Sequence, residues 1–330
     1  MKKKKLVKFL VYLVFVLALI LIVPSVTTGY SIMIVDVALL YFIAALGLSV
    51  MLGIGGQMTF AAVSFMGVGA FTSAQLSKYA HIPTSLSIIL GILVAALFAF
   101  LIGLVLLRLK GPFFAFSTIS LVQIMSNIFL NYEPLTGGAR GIQSIPKLNL
   151  GVFSPNNLFG WFYLLIAVAI ICGLIVERVR QTHLGRALSS VRDNEIAAMS
   201  LGVDVFKTKV VAFTIAGALA GLSGALYAHM SQYISQSLFT FNTSLTFIMM
   251  VMLGGVNSTV GTFFGALLVT MLPEWLRPLK QYLMIIYGVG IIFLMVYMPM
   301  GLAGVARSIL TKCQRKKQQK GAEAANGYSK

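Results

Sequence analysis

Charge is what this sequence has least of. Only 10% of its residues are charged and only 8 are Asp or Glu, whereas 58% are hydrophobic and the mean hydropathy is +0.94. A soluble domain keeps about a quarter of its residues charged, so this composition excludes a water-soluble globular fold and indicates a polytopic membrane protein. Cysteine is almost absent too. Cys172 stands in an apolar run and Cys313 in a basic tail, far apart and without ligand spacing, so neither a disulfide framework nor a metal site follows from them. No GxxxxGK[ST] loop, HExxH helix or GxSxG elbow occurs, which leaves ATP binding, zinc hydrolysis and serine chemistry without support. The expectation is therefore a chain that is not an enzyme and needs no cofactor or metal. Within the apolar runs charge is rarer still: Asp36 lies about a turn inside one run, and Glu274 and Arg277 lie near the end of another. A charge at the bilayer centre costs at least about 2.5–3.5 kcal/mol on insertion scales, and an ion-coupled carrier keeps a few for a reason. Their scarcity argues against ion coupling, so energy for any transport has to come from another polypeptide.

The charge that is present is mostly basic. A net charge of +17 would suggest nucleic acid in a soluble protein, but here Lys and Arg cluster in residues 2–8, in a central polar stretch and in residues 312–320. That distribution is the positive-inside signature of a membrane protein and not a nucleic-acid patch. Apolar runs fall at 6–23, 30–52, 58–76, 84–107, 113–130, 159–176, 210–230, 241–253, 261–276 and 282–298. They predict an all-α, polytopic transmembrane helix bundle of about ten spans, some of them broken or half-helices. The run at 6–23 is long enough to span and lacks a convincing cleavage site, so it reads as an uncleaved first helix in contact with lipid. The run at 241–253 is short and reads as a half-helix or a strongly buried segment. Alternation along this series puts both termini, Arg108 and Lys110 and the central stretch on the cytoplasmic side, with the 131–158 loop outside. The expected organisation is a transmembrane domain over 1–306 and a basic, disordered tail over 307–330.

The central stretch, 177–209, is a polar island between blocks of hydrocarbon. Leu184, Leu188 and Val191 recur at helical spacing; Asp193 or Asn194 can then cap a second short helix with Glu195 in its first turn and Gly202 just past its end. Such amphipathic turns outside the bilayer suit a docking surface for a soluble partner, and the plain alternative is a solvated loop. Elsewhere, MLGIGGQMTFAAVSFMGVGAFT at 51–72 echoes MLGGVNSTVGTFFGALLVT at 252–270, each with a Gly-Gly break, amide or hydroxyl side chains and a small-residue helix. Breaks at membrane depth expose backbone groups that need internal partners or water, so Gln57, Thr59, Ser64, Asn257, Ser258 and Thr259 become candidates for lining a path. Two tight turns between packed helices would explain the same residues. Gly217 with Gly221, and Gly261 with Gly265, form GxxxG pairs that predict close helix packing. His81 and His229 read as interfacial residues.

The segment THLGRALSSVRDNEIAAMSLGVDVFKTKVVAFTIAGALAGLSGALYA at 182–228 resembles the cytoplasmic loop and following helix of bacterial ABC-importer permeases for branched-chain amino acids. The resemblance extends to LGIGGQMTFAAVSFMGVGAF at 52–71, LKGPFFAFSTISLVQI at 109–124, LTGGARGI at 135–142 and LGGVNSTVGTFFGAL at 253–267, covering most of the chain between 40 and 304. The KGPFFAFSTI-like and LTGGxxGI-like segments together resemble the LivM-like member of the permease pair. The family often has Ser and Gly-His after its Gly-Gln, where this chain has Thr59, Ala61 and Ala62, so no role for an imidazole carries over. The resemblance implies an inner-membrane subunit that pairs with a LivH-like paralogue, two cytoplasmic ATP-binding subunits and an extracytoplasmic solute-binding protein. It also implies alternating access, with the island seated in the ATPases. Arg186, Arg192, Asp193, Glu195 and Gly202, with the small face at Ala197 and Ala198, are the candidate coupling residues; Arg192 and Glu195 pairing with each other is the alternative. Thr118 and Gln123 join the candidate path. The implied substrates are Leu, Ile and Val; related permeases serve urea, amides and aromatic acids, and a stand-alone secondary carrier is the reading disfavoured by the missing charges.

Overall fold

The computed structural model describes residues 29–149, 155 and 158–275, together with 282 and 289. The expected helix over 6–23, almost all of the run at 282–298, Arg277, Cys313 and the tail lie outside the described residues. Helix α1, Gly29–Ser49, is apolar all round and continues through a π-turn at Val50–Ile54. A helix without a polar face is stable only where every side is covered. Accordingly, 83% of its membrane window is buried, against 28% for the still more apolar Thr84–Leu106. That difference makes α1 the centre of the bundle and leaves the second helix facing lipid.

Around α1 the chain forms α2, Ala62–Lys78; α3, Thr84–Leu106; α4, Pro112–Asn131; and a short α5, Glu133–Thr136. Helix α6, Leu158–Gln181, then leads into the island helices α7, His183–Asp193, and α8, Glu195–Ser200. The chain returns through α9, Val205–Ser231, and ends its described part in the hairpin of α10, Phe241–Gly254, and α11, Thr259–Trp275. Helices α6, α9, α10 and α11 all pack on α1, and α9 also packs on α2 and α3. Among the described residues, six helices are long and apolar enough to cross a membrane. One expected crossing differs: the run at 58–76 is helical only from Ala62, and residues 56–60 before it have no helical structure. The island is also narrower than its charge pattern suggests, because α6 runs on to Gln181 and α9 begins at Val205.

Small residues set the closest approaches. A Cβ on Gly221 would stand 2.3 Å from that of Ala95, and one on Gly217 would stand 2.2 Å from that of Ala99. Helices α9 and α3 therefore touch through small residues on both sides, the packing that membranes favour because backbone contact replaces a hydrophobic drive. On the hairpin, a Cβ on Gly265 would meet the Met250 carbonyl at 2.0 Å, and one on Gly254 would meet that of Gly261 at 2.1 Å.

Contacts at the two ends keep the bundle in register. At one end Ile142 bridges Ile234, Thr84 accepts from the Asn149 amide, and Lys78 donates to the Gln143 carbonyl. His229, expected at an interface, is fully buried there, with Nε2 at 2.9 Å from the Ser73 hydroxyl and Nδ1 at 2.8 Å from the Pro146 carbonyl. Burying an imidazole demands partners for both nitrogens, and the two ring contacts supply them. The island lies at the opposite end.

Candidate functional site: a broken helix and a polar island

Helix α1 ends at the island, and the chain then turns back into the bundle as a non-helical stretch over residues 56–60. Its polar groups find partners on other helices: the Phe60 amide donates to Thr118 Oγ1 at 3.1 Å, and the Ser244 hydroxyl donates to the Phe60 carbonyl at 2.7 Å. Thr59 Oγ1 accepts from the Ala61 amide at 3.2 Å. Thr118 lies about 9 Å along α4 from its start and Ser244 about 15 Å along α10 from its end, at about 1.5 Å per residue. The break is thus well inside the bundle, where unpaired backbone would cost about 1–3 kcal/mol per group. Thr59 and Thr118, both singled out from sequence, meet here; Ser244 is the partner that sequence reasoning missed, since a lone serine in an apolar run carries no local signal. Ser64 is buried on the first turn of α2, and its hydroxyl has no partner among the described residues. Gln57 is half-buried in this non-helical stretch, and Met58 beside it is exposed.

Gln123 belongs to a feature that sequence reasoning did not assemble. On α4, Ser120, Gln123, Asn127 and Asn131 are all exposed and recur at helical spacing. Asn127 and Asn131 each donate to the backbone carbonyl one turn earlier at 2.9 Å, and Ser120 does so at 3.1 Å. These bonds leave further donors and acceptors along a stripe on a helix of membrane-spanning length. The opposite side of the same helix is buried through Leu121, Val122, Met125 and Phe129.

Asn257, Ser258 and Thr259 lie elsewhere, at the island end. Ser258 Oγ accepts from the Gly261 amide at 3.1 Å, closing the turn into α11, and Thr259 Oγ1 donates to Glu177 at 3.4 Å. Glu177 also pairs with Arg180 at 3.0 Å. The turn holding Asn257 touches the end of α1 directly: a Cβ on Gly53 would meet the Val256 carbonyl at 2.0 Å. The two sequence echoes are therefore brought face to face.

The island folds as capping chemistry dictates. Asn194 is the N-cap of α8, accepting from the Ile196 and Ala197 amides at 3.0 and 3.1 Å, and Gly202 at φ 83 follows its end. Leu188 and Val191 bury the inner face of α7. Glu195 pairs with the buried Lys209 of α9, and Arg192 pairs with Asp193 at 3.3 Å and donates to the Gly53 carbonyl at 2.9 Å, so Arg192 and Glu195 do not pair with each other. Asp204 caps α9, and the Lys207 amide beside it holds its carboxyl below the usual carboxylate range. Arg186 is exposed and donates to the Gln181 carbonyl at 2.9 Å. The adjacent alanines differ: Ala198 is 2% exposed and Ala197 faces outward. Around Ala197, α8 and its end expose Ile196 at 74%, Met199 at 52% and Leu201 at 83%, an apolar cluster outside the spans that sequence reasoning overlooked.

Residues 30–298 match the family described as the permease component of branched-chain amino acid transport systems. The chain belongs to this family of transport permeases. A high-affinity branched-chain amino acid permease protein, LivM, of Salmonella typhimurium is 31% identical to it over 319 residues, 89% of this permease and 75% of the relative. LivM of Escherichia coli is 31% identical over 324 residues, 91% and 76% of the two chains. More distantly, the nucleoside permease NupC of Lactococcus lactis is 26% identical over 53% of this permease and 59% of its own length. No solved structure matches. The permease is thus a multi-pass membrane protein.

Proposed function

We propose that this chain is a LivM-like membrane subunit of an ATP-driven importer that moves leucine, isoleucine and valine into the cell. The single observation that carries the reading is the uncharged polar stripe of α4, exposed on a helix of membrane-spanning length. Amide and hydroxyl groups facing hydrocarbon are costly, so this face borders water or another protein. A path lined by Gln57, Gln123 and Asn127, without fixed charge, suits a zwitterion whose side chain is aliphatic, while the buried Thr59 and Thr118 brace the broken segment behind it. The second wall comes from a LivH-like permease, and a solute-binding protein delivers the substrate from outside.

The apolar cluster of Ile196, Met199 and Leu201, with Ala197 in its middle and Arg186 nearby, supports docking of two ATP-binding subunits on the island. Exposed apolar patches rimmed by polar groups mark interaction sites, and nothing in the chain covers this one among the described residues. The basic excess at the island, at Arg108 and Lys110 and at both termini supports a cytoplasmic location for all of them in a bacterial cell. Competition assays on cells expressing the importer test the substrate: excess isoleucine or valine should abolish labelled leucine uptake, while urea and nucleosides leave it intact. Uptake of a nucleoside or urea that leucine does not inhibit would replace the proposed substrate class.

A further inference from the structure

One carbonyl joins three parts of the chain that are remote in sequence. Gly53 sits in the last turn of the α1 helix, where backbone carbonyls have no intrahelical donor and carry the negative end of the helix dipole. Arg192 Nη1, from the end of α7, donates to that oxygen at 2.9 Å across 139 residues of sequence. In the amide orientation that satisfies both of its polar groups, Asn257 Nδ2 donates to the same oxygen at 2.7 Å, and its Oδ1 accepts from Arg192 Nη1 at 3.1 Å. The contact is also steric. Gly56 has φ 66, and a Cβ there would stand 2.3 Å from Arg192 Cγ, while a Cβ on Gly55 would stand 3.4 Å from Leu188 of α7. Gly56 leaves the room that the arginine stem fills, and the second break reaches the same arginine through Asn257.

We propose that Arg192 is a positioning residue that transmits motion of the island to the broken segment lining the path. Resting on the docking role assigned above, the inference names the joint through which that docking acts. The charge-assisted bond fixes the island to Gly53, and the chain from Gly53 to Phe60 leads directly to the pair of bonds made by Thr118 and Ser244. That run reaches at most about 25 Å, so the joint and the candidate path are linked by one short piece of backbone. Asn257 ties the α10–α11 turn to the same point, which moves both echoed segments together. Glu195 and Lys209 hold α8 to the start of α9, so the island shifts as a unit with Arg192 at its inner edge.

The test uses the full importer in nanodiscs, with C172A and C313S in this chain and Gln57→Cys as reporter, labelled by a water-soluble maleimide with and without ATP and vanadate. The parent should change its labelling rate at least about threefold between the two states. R192M should abolish that change while still co-purifying with the ATP-binding subunits, N257A should reduce it, and R192K should restore part of it because an ammonium can still donate to the Gly53 carbonyl. An unaltered nucleotide response in R192M overturns the proposal. Loss of co-purification in R192M also overturns it, by making Arg192 a docking residue and leaving the docking reading intact. In parallel, I196D tests docking alone: if it leaves co-purification and the nucleotide response unchanged, the docking reading fails, whatever R192M does.

Discussion

Ala197 and Ala198 are neighbours on one short helix, yet they face different surroundings. Ala198 is buried within its own chain while Ala197 sits among Ile196, Met199 and Leu201 on the open side. Size is therefore limited for different reasons at each position. Overpacking a filled interior costs typically about 1–3 kcal/mol, so Ala198→Trp should lower the thermal stability of the purified permease. Ala197→Trp should leave stability unchanged but weaken ATPase docking roughly tenfold or more, as the same order of cost then falls on the interface. Thermal unfolding followed by pull-down of the ATP-binding subunits checks both; equal behaviour of the two variants would refute the assignment of faces. The cap, narrowed to Asp193 or Asn194, and the stop at Gly202 were legible in the sequence because capping is a matter of adjacent residues. The partner of Arg192 was not, since it lies 139 residues away and is a backbone carbonyl, which leaves no trace in residue identity.

Among whole elements, the contact of α9 with α3 is the clearest case of sequence dictating geometry. GxxxG in α9 announced close packing, but only the structure pairs Gly221 with Ala95, where the next atoms around a Cβ stand at ordinary distances of 3.6 and 3.8 Å. Gly221→Ala should therefore destabilise the bundle, and Ala95→Gly in the same chain should recover most of the loss by removing the one methyl in conflict. Thermal unfolding of the two single variants and the double variant gives the coupling; additive losses would place the conflict elsewhere. Two elements misled the sequence reading for a physical reason. The run at 58–76 carries no charge, so hydropathy registers a continuous span, whereas the backbone at 56–60 forms no helix and Thr118 and Ser244 satisfy Phe60 from other helices. The stripe on α4 escaped notice because its four polar residues lie three or four apart among apolar ones, and the helix stays apolar enough overall to read as a plain span.

For the whole molecule, the two ends of the bundle are distinguished by their contacts, and charge decides which faces the cytoplasm. Asn149 and the island lie at opposite ends, so Asn149→Cys should react with an impermeant maleimide on whole cells and Ser190→Cys should not. The reversed pattern would put the island outside and remove any route to ATP-binding subunits. Fold class and family were legible throughout, because apolar runs and the island sequence are continuous stretches; the joint between island and path was not, because it is assembled from three separated ones. In the proposed importer this chain carries the path while another polypeptide supplies the energy. Leucine uptake into proteoliposomes, with the binding protein on one side and ATP on the other, measures that claim directly. Accumulation should require ATP, this permease, its paralogue and the ATP-binding subunits together. Leucine accumulation by the purified chain alone, driven by a proton or sodium gradient, would contradict it.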